Sequence, residues 1–230
     1  MIKRVRTGFA ILLLAPGLCF SESTSKIAGG VVQSDEWVVR RDKQEEEFLG
    51  HVRFDRARDH LQADWALYQK TLDLWRVKGN LHGRRETPKG ETWNVWADEG
   101  EYQMKSRDAR LRGTRSRLRF ERSFLHKGAA AVWHGAAQEA VLDGAKREVR
   151  LSGDVTLDGD DILLRSREAV YDQDTREGAF QGGRPVARFA GEKYIGARQA
   201  DTLTLDESPR RVAATGSVRG WFTLHKPHGT

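Results

Sequence analysis

A six-residue pattern, Ala-x-x-(Ala/Gly)-x-(Tyr or apolar), recurs five times along the 230-residue chain, with Ser replacing the first Ala once. The copies begin at Ala63, Ala97, Ala137, Ser166 and Ala197, and the last is the least regular. A glycine follows the start of each of the first four copies at one constant interval, and Gly216 follows the last copy at a slightly longer interval. Such repetition is typical of one supersecondary unit that is copied and stacked, so it constrains the fold before any single residue does.

Apolar and polar residues alternate within each repeat. Between residues 149 and 158, Val149, Leu151 and Val155 fall on one face of an extended chain, and charged or hydroxyl side chains fall on the other. A period of two is typical of a strand with one buried and one solvated face. Polar turns such as residues 172–175 separate the strands. The sequence therefore predicts an all-β fold of repeated hairpins.

Residues 1–21 have the features of a secretory signal peptide, namely a basic start, a short apolar run and small residues near the end. We place the cleavage after Ser21, and an uncleaved inner-membrane anchor is the alternative. Cys19 is the only cysteine and lies in this leader, so the mature chain would form no disulfide and no thiolate metal site. The rest of the chain divides into an N-terminal lead-in segment (22–47), a β domain (48–222) and a C-terminal tail (223–230).

The charge of the chain argues against nucleic acid as a partner. Removal of the leader takes away Lys3, Arg4 and Arg6, so the mature chain would have 36 basic and 33 acidic residues and a net charge of +3. Nucleic-acid binding requires a clustered basic face on a strongly basic domain. The sequence also contains no nucleophile motif, phosphate-binding loop or metal-binding helix. We therefore expect no enzymatic activity, no cofactor and no metal.

Three segments resemble the OstA-like family: residues 95–102, with the sequence VWADEGEY, the Gly153-Asp154-Val155 step, and the strand from Leu164 to Tyr171. This family includes the periplasmic lipopolysaccharide-transport proteins LptA and LptC and the N-terminal domain of LptD. The similarity runs from about Phe48 to Val218. The resemblance implies a twisted, V-shaped β-jellyroll with an apolar interior that holds lipid acyl chains, and with open edges that pair with like-folded proteins.

The apolar face of the repeats would line this groove, or it would fill a closed core, and the sequence leaves both open. The positions assigned to lipid binding are Leu111, Val149, Leu151, Val155, Leu157, Ile162 and Leu164. A second candidate is a strand of alternating arginines, Arg115, Arg117 and Arg119, which Arg122 follows. Their guanidinium groups would contact an anionic head group. The alternative is an ordinary solvated face or a charged edge strand.

These features predict a non-enzymatic periplasmic bridge component of lipopolysaccharide export, similar to LptA. Its partners would be lipopolysaccharide or lipid A, further copies of itself head to tail, and like-folded proteins of the inner-membrane complex and the outer-membrane translocon. Edge-strand pairing would form these joints. One alternative is an inner-membrane-anchored relay partner similar to LptC. The other is an envelope scaffold that binds protein but no lipid.

Overall fold

The computed structural model describes residues 23–27, 29–126, 129–159, 161–190, 194–207 and 210–224. These residues form nineteen antiparallel strands and no helix, so none of them belongs to a helix long and apolar enough to cross a membrane. The first seven strands are β1 (Ser23–Ile27), β2 (Gly30–Ser34), β3 (Glu36–Arg40), β4 (Glu45–Arg56), β5 (Asp59–Gln69), β6 (Leu74–Glu86) and β7 (Thr92–Gln103). The next six are β8 (Asp108–Arg112), β9 (Leu118–His126), β10 (Ala129–Ala137), β11 (Glu139–Asp143), β12 (Glu148–Gly159) and β13 (Ile162–Asp172). The last six are β14 (Glu177–Gln181), β15 (Val186–Ala190), β16 (Tyr194–Gln199), β17 (Thr202–Glu207), β18 (Arg210–Thr215) and β19 (Arg219–Leu224).

The strands are arranged in two rows, which we call arm I and arm II. In spatial order, arm I contains β3, β4, β5, β6, β7, β8, β11, β12, β13, β14, β17 and β18. Arm II contains β1, β2, β4, β5, β6, β7, β9, β10, β12, β13, β15, β16 and β19. Six long strands run through both arms and bend where the arms meet. The predicted fold class, an all-β jellyroll of repeated hairpins, is confirmed.

The lead-in segment predicted from the sequence contains β1, β2 and β3. These strands pair with one another or with β4, within the two arms. Among the described residues, β1 and β3 each have a strand neighbour on one side only, and so do β18 and β19 at the opposite end. In the part of the chain that the structure describes, each end therefore has two open edges.

The bends coincide with the glycines of the repeat. The backbone has φ between +71° and +88° at Gly50, Gly79, Gly153, Gly182 and Gly216. Glycine enters this left-handed region without the steric cost that a Cβ imposes. At the bends of β4, β6 and β12 the next residue is left-handed as well, and the pairing register shifts there. Each bend is thus a β-bulge that turns the chain from one arm into the other.

The structure corrects the repeat at its two ends. The assignment of the last copy to Ala197 is wrong, because Ala197 is only half-buried, whereas Ala200 is almost fully buried at the bend. Counted from Ala200, the interval to Gly216 equals the interval between copy and glycine in the first four copies. A further copy begins at Ser34, which is also buried and precedes Gly50 by the same interval. Six copies therefore share one spacing.

Each copy supplies a small residue, which is buried in every copy except at the half-buried Ser166. In every copy but the one at Ala97, the next side chain faces the glycine of that copy. In the copy that begins at Ala63, a Cβ on Gly79 would overlap the Asp64 carboxylate. Asp64 Oδ2 accepts a hydrogen bond of 2.8 Å from Asn80 Nδ2. In the last copy, Asp201 Oδ2 accepts one of 2.9 Å from the Ser217 backbone N–H. The repeat therefore specifies the bend, because small residues and glycine let the strands approach closely there.

The bend near Gly113 has a different construction. Here β8 ends, and residues 113–117 form a loop that leads to β9. Asp98 Oδ2 accepts backbone hydrogen bonds from Thr114 (2.6 Å), Arg115 (2.6 Å) and Ser116 (3.0 Å). These hydrogen bonds hold the pKa of Asp98 below its usual value, and the bond from Ser116 contributes most to this lowering. The prediction of a strand from Arg115 is therefore wrong, since the strand begins only at Leu118.

We predict that Gly79→Ala destabilises the protein more than Gly90→Ala. Both glycines have positive φ, +74° and +78°, so both substitutions carry the backbone cost of about 1–2 kcal/mol. Only at Gly79 would the new Cβ also overlap the Asp64 carboxylate, whereas nothing lies within 4 Å at Gly90. Urea unfolding measures the difference. Equal losses of free energy of unfolding would show that the bend does not need the close approach.

We also predict that Asp98→Asn lowers the melting temperature at pH 7 by roughly 2–4 °C, as the loss of about 1 kcal/mol would in a chain of this size. Because the folded pKa of Asp98 is lowered, the carboxylate stabilises the fold above its unfolded pKa of about 4, and this contribution is lost as pH falls further. The gap between wild type and variant should therefore shrink by pH 3. A gap that stays constant from pH 7 to pH 3 would contradict this role, and Asp158→Asn, at an exposed position, is the control.

Candidate functional site

A row of apolar residues crosses every strand of arm I on its inner face. Its members are paired from strand to strand without a gap. We call them the arm I apolar row: Trp37, Phe48, Ala66, Val77, Gly100, Leu111, Ala140, Leu151, Ala169, Phe180, Leu203 and Ala214. Twelve strands at about 4.8 Å spacing give it a length on the order of 50 Å. The adjacent outward positions carry charged pairs such as Arg76–Glu101, at 3.0 Å.

Arm II presents a second apolar row towards the first. From β2 to β15 its paired residues are Val32, Phe54, Leu61, Gly83, Val95, Phe120, Gly135, Leu157, Leu164 and Ala187. Gly135 has a packing role, because a Cβ there would overlap the Phe120 ring on the neighbouring strand. Buried residues of both arms, among them Phe48 and Leu164, belong to one hydrophobic cluster. The interior between the arms is therefore apolar.

The arms touch through aromatic rings in the N-terminal half. Phe54 of arm II lies 5.9 Å from Trp75 of arm I, measured between ring centroids. Trp75 in turn stacks on Tyr68 at 4.8 Å and on Phe48 at 6.1 Å. Burial, followed by a 2.9 Å hydrogen bond to Asp73, raises the pKa of Tyr68 to about 12. This end of the interior is therefore closed by neutral, apolar contacts.

Further along, the arms are joined by charges, which we call the cross-arm ion cluster: Glu91, Arg122, Arg176 and Glu207. Arg122 lies in β9 of arm II, and its Nη1 is 2.6 Å from both carboxylate oxygens of Glu207, at the end of β17 in arm I. Glu91 precedes β7 in arm II and lies 3.3 Å from Arg122 and 3.3 Å from Arg176 of arm I. Two cations and two anions thus hold the arms together.

Arg122 is buried among aromatic side chains. Only 3% of the residue is exposed, and its guanidinium lies 4.9 Å from the ring of Trp93 and 4.6 Å from that of Phe124. Its Nε has no hydrogen-bond partner among the described residues. Burial opposes the positive charge, but the bond to Glu207 keeps the pKa of Arg122 above its ordinary value. Burial and Glu207 also raise the pKa of the nearby Tyr171 to about 12.

All seven residues that the sequence assigned to lipid binding lie on the two inner faces. Val155 and Leu164 are almost completely buried. Four others are half-buried and pack against the core: Leu111, Leu151, Leu157 and Ile162. Val149 is half-buried in arm I, where it pairs with Leu142 and Tyr171. Their contact with lipid stays a prediction.

The predicted arginine face is not assembled as one surface. Arg115 and Arg117 are exposed in the loop before β9, and Arg117 donates to the backbone oxygens of Ala136 and Asp154. Arg119 points outward, 5.7 Å from the ring of Trp96. A head-group role for Arg115, Arg117 and Arg119 stays a prediction, and Arg122 alone of these arginines lies on the apolar inner face.

Sequence reasoning missed three members of the cross-arm ion cluster. One signal was present, since Arg122 stands between Phe120 and Phe124 at the inward period of β9. Glu207 lies 85 residues away, and no local pattern links the two. The described residues contain no group of three or more metal-ligating side chains.

Comparisons with known proteins give limited results. No family model matches the chain, and no curated protein matches its sequence. Among solved structures, the chain is similar to LptH from Pseudomonas aeruginosa, described as the LptA-homologous periplasmic component of the lipopolysaccharide transport device. The two share 10% sequence identity with a TM-score of 0.32, over 66% of this chain and 81% of LptH.

We predict that Arg122→Met destabilises the fold by about 3 kcal/mol, because it leaves Glu207 buried without its cation. The double variant Arg122→Met/Glu207→Gln should recover more than half of this loss, since it removes the uncompensated charge as well. Urea unfolding of wild type, both single variants and the double variant forms the required cycle. A double variant whose loss equals the sum of the two single losses would mean that the pair is not coupled.

Proposed function

We propose that the protein is a non-enzymatic lipid carrier of the periplasm and a bridge component of lipopolysaccharide export, similar to LptA. The observation that carries this proposal is the arm I apolar row, which continues across all twelve strands of the arm and faces a second apolar row. A closed core that only stabilises the fold does not require an apolar row of this length. An extended apolar strip that passes from one open edge of the molecule to the other suits cargo that moves along it.

Acyl chains match the chemistry of this interior. Each buried methylene contributes about 0.8 kcal/mol, so a lipid gains most of its binding energy from apolar contact alone. The arms are covalently linked only at the bends, and side-chain contacts join them elsewhere. Lipid chains would enter by parting these contacts while the sugar and phosphate groups stay in water. Nothing in this process requires catalysis by the chain itself.

The open edges supply a means of continuing the strip into a neighbour. Strands β1 and β3 at one end and β18 and β19 at the other have free pairing edges among the described residues. On β19, Trp221 and Phe222 are 60% and 72% exposed, which suits a surface that another protein covers. Like-folded proteins of the inner-membrane complex and the outer-membrane translocon, or further copies of this chain, would add their strands there.

Two other functions keep the same architecture. An inner-membrane-anchored relay partner similar to LptC would retain the leader, whereas a mature protein that starts near Glu22 would contradict it. An envelope scaffold without lipid is favoured by one observation, the nearly complete burial of Val155 and Leu164, which leaves no open space beside them. Mass spectrometry of the exported protein distinguishes all three.

We predict that native mass spectrometry of protein purified from a Gram-negative periplasm shows a lipopolysaccharide or lipid A adduct. Leu151→Asp should remove the adduct, because a carboxylate would then lie in the arm I apolar row. The matched control is Val141→Asp, an outward position paired with Arg110 and Arg150, which should retain the lipid.

Circular dichroism of the same samples separates loss of binding from loss of folding. The carrier hypothesis requires that Leu151→Asp keeps its β spectrum while it loses lipid. A wild-type protein that stays free of adduct after incubation with lipopolysaccharide would favour the scaffold.

A further inference from the structure

We propose that the cross-arm ion cluster is an exchangeable anion site. In this proposal, the phosphate or carboxylate head group of an amphiphile binds Arg122 and Arg176 in place of Glu207 and Glu91, and the exchange separates arm I from arm II. The inference rests on the proposed function, because the acyl chain of the same amphiphile would occupy the apolar interior. It adds a selectivity for anionic lipids and a trigger for opening.

The geometry of Arg122 already fits an anion of this kind. Its guanidinium holds Glu207 with both carboxylate oxygens at 2.6 Å, and a phosphate presents oxygens to the same donors. Arg176 lies on the far side of Glu91, so two cations flank the position that the Glu91 carboxylate now occupies. The unpaired Nε of Arg122 is a further donor that the internal carboxylates do not use.

The stability of the fold alone does not explain why charged residues join the two arms at the cross-arm ion cluster. Removing an ion pair from water carries a large desolvation penalty for each ion, and apolar replacements of a buried pair are often neutral or stabilising. The N-terminal half joins the same two arms with Phe54 and Trp75, which carry no charge. An ionic joint has one property that an aromatic joint lacks: another anion can displace its carboxylate.

The cluster is accessible from water and adjoins the apolar interior. The side chain of Arg176 is 36% exposed, whereas that of Arg122 is 4% exposed, so an anion would meet Arg176 first. Glu207 is the last residue of β17, where its side chain can turn outward while the strand stays paired. On the inner side, Arg122 pairs with Trp133 of β10, and Ile162 lies two strands beyond. An acyl chain attached to the bound head group would lie along these residues.

The test compares two amphiphiles with the same chain and different head groups, n-dodecyl phosphate and n-dodecyl maltoside, both used as monomers. Titration calorimetry measures their binding to full-length wild type, Glu207→Gln and Arg122→Met/Glu207→Gln. Inorganic phosphate at equal concentration distinguishes a free anion from a head group. Glu101→Gln is the matched control, since Glu101 pairs with Arg76 on the outer face.

We expect Glu207→Gln to bind dodecyl phosphate about tenfold more tightly than wild type, because the competing carboxylate is gone, with dodecyl maltoside unchanged. The double variant, which differs only by the loss of Arg122, should bind the two amphiphiles equally. Glu101→Gln should behave as wild type. Misfolding would expose apolar surface and raise the binding of both amphiphiles, so an increase confined to dodecyl phosphate keeps the test independent of stability.

Spin labels report the opening of the arms. Cysteines in place of Lys89 and Thr175, in a chain with Cys19→Ser, place one exposed label on each arm beside the cluster. Pulsed electron resonance should show a longer distance with dodecyl phosphate than with dodecyl maltoside or inorganic phosphate.

Several results would overturn the proposal. Equal binding of both amphiphiles by wild type and Glu207→Gln would leave lipid carriage intact and refute the anion site. Inorganic phosphate that binds and opens the arms as well as dodecyl phosphate would refute the head-group assignment. Wild type that binds neither amphiphile would refute the proposed function together with this inference.

Discussion

The left-handed bend at the repeat glycine is the constraint on which the rest of the structure depends. In β4 the inward residues are Phe48 before the bend and Val52 after it, and in β12 they are Leu151 and Val155. Two left-handed residues between them turn the chain without exchanging its faces. The alternation of apolar and polar residues therefore continues from one arm into the other, and a single sequence pattern covers both inner faces.

Contacts between the arms differ along the molecule, and this difference follows from the same plan. Near the bends, small residues such as Ala63 and Ala97 let the arms approach, so the interior there is filled. Further from the bends, long side chains of the two arms reach across to one another. The N-terminal half uses the rings of Phe54 and Trp75 for this purpose, whereas the central part uses the cross-arm ion cluster. Only the second kind of contact responds to charge.

Period-two alternation and polar turns were sufficient to predict the fold class from sequence, because they are local. The register of the last repeat was harder to assign, since Ala197 and Ala200 each match the pattern only in part and only the distance to Gly216 decides between them. The pattern does not identify the copy at Ser34, because Trp37 stands where the second small residue is expected. The ion pair of Glu207 could not be predicted from the sequence, because its partner Arg122 lies 85 residues away in the chain. Pairing across arms depends on how the stack is folded, and local patterns do not encode it.

The degree of burial varies within the interior, and this variation bears on the choice between a closed core and a lipid groove. Val52, Leu81, Leu118 and Val155 lie next to the bends and are 1–2% exposed, which leaves no space for a ligand. Leu157 and Ile162 stand further out and are only half-buried. An interior of this kind is a core at its base and becomes a groove only if the outer parts of the arms separate. The contacts that resist this separation, Phe54 with Trp75 and Arg122 with Glu207, therefore decide whether lipid enters, more than the apolar residues that would contact it.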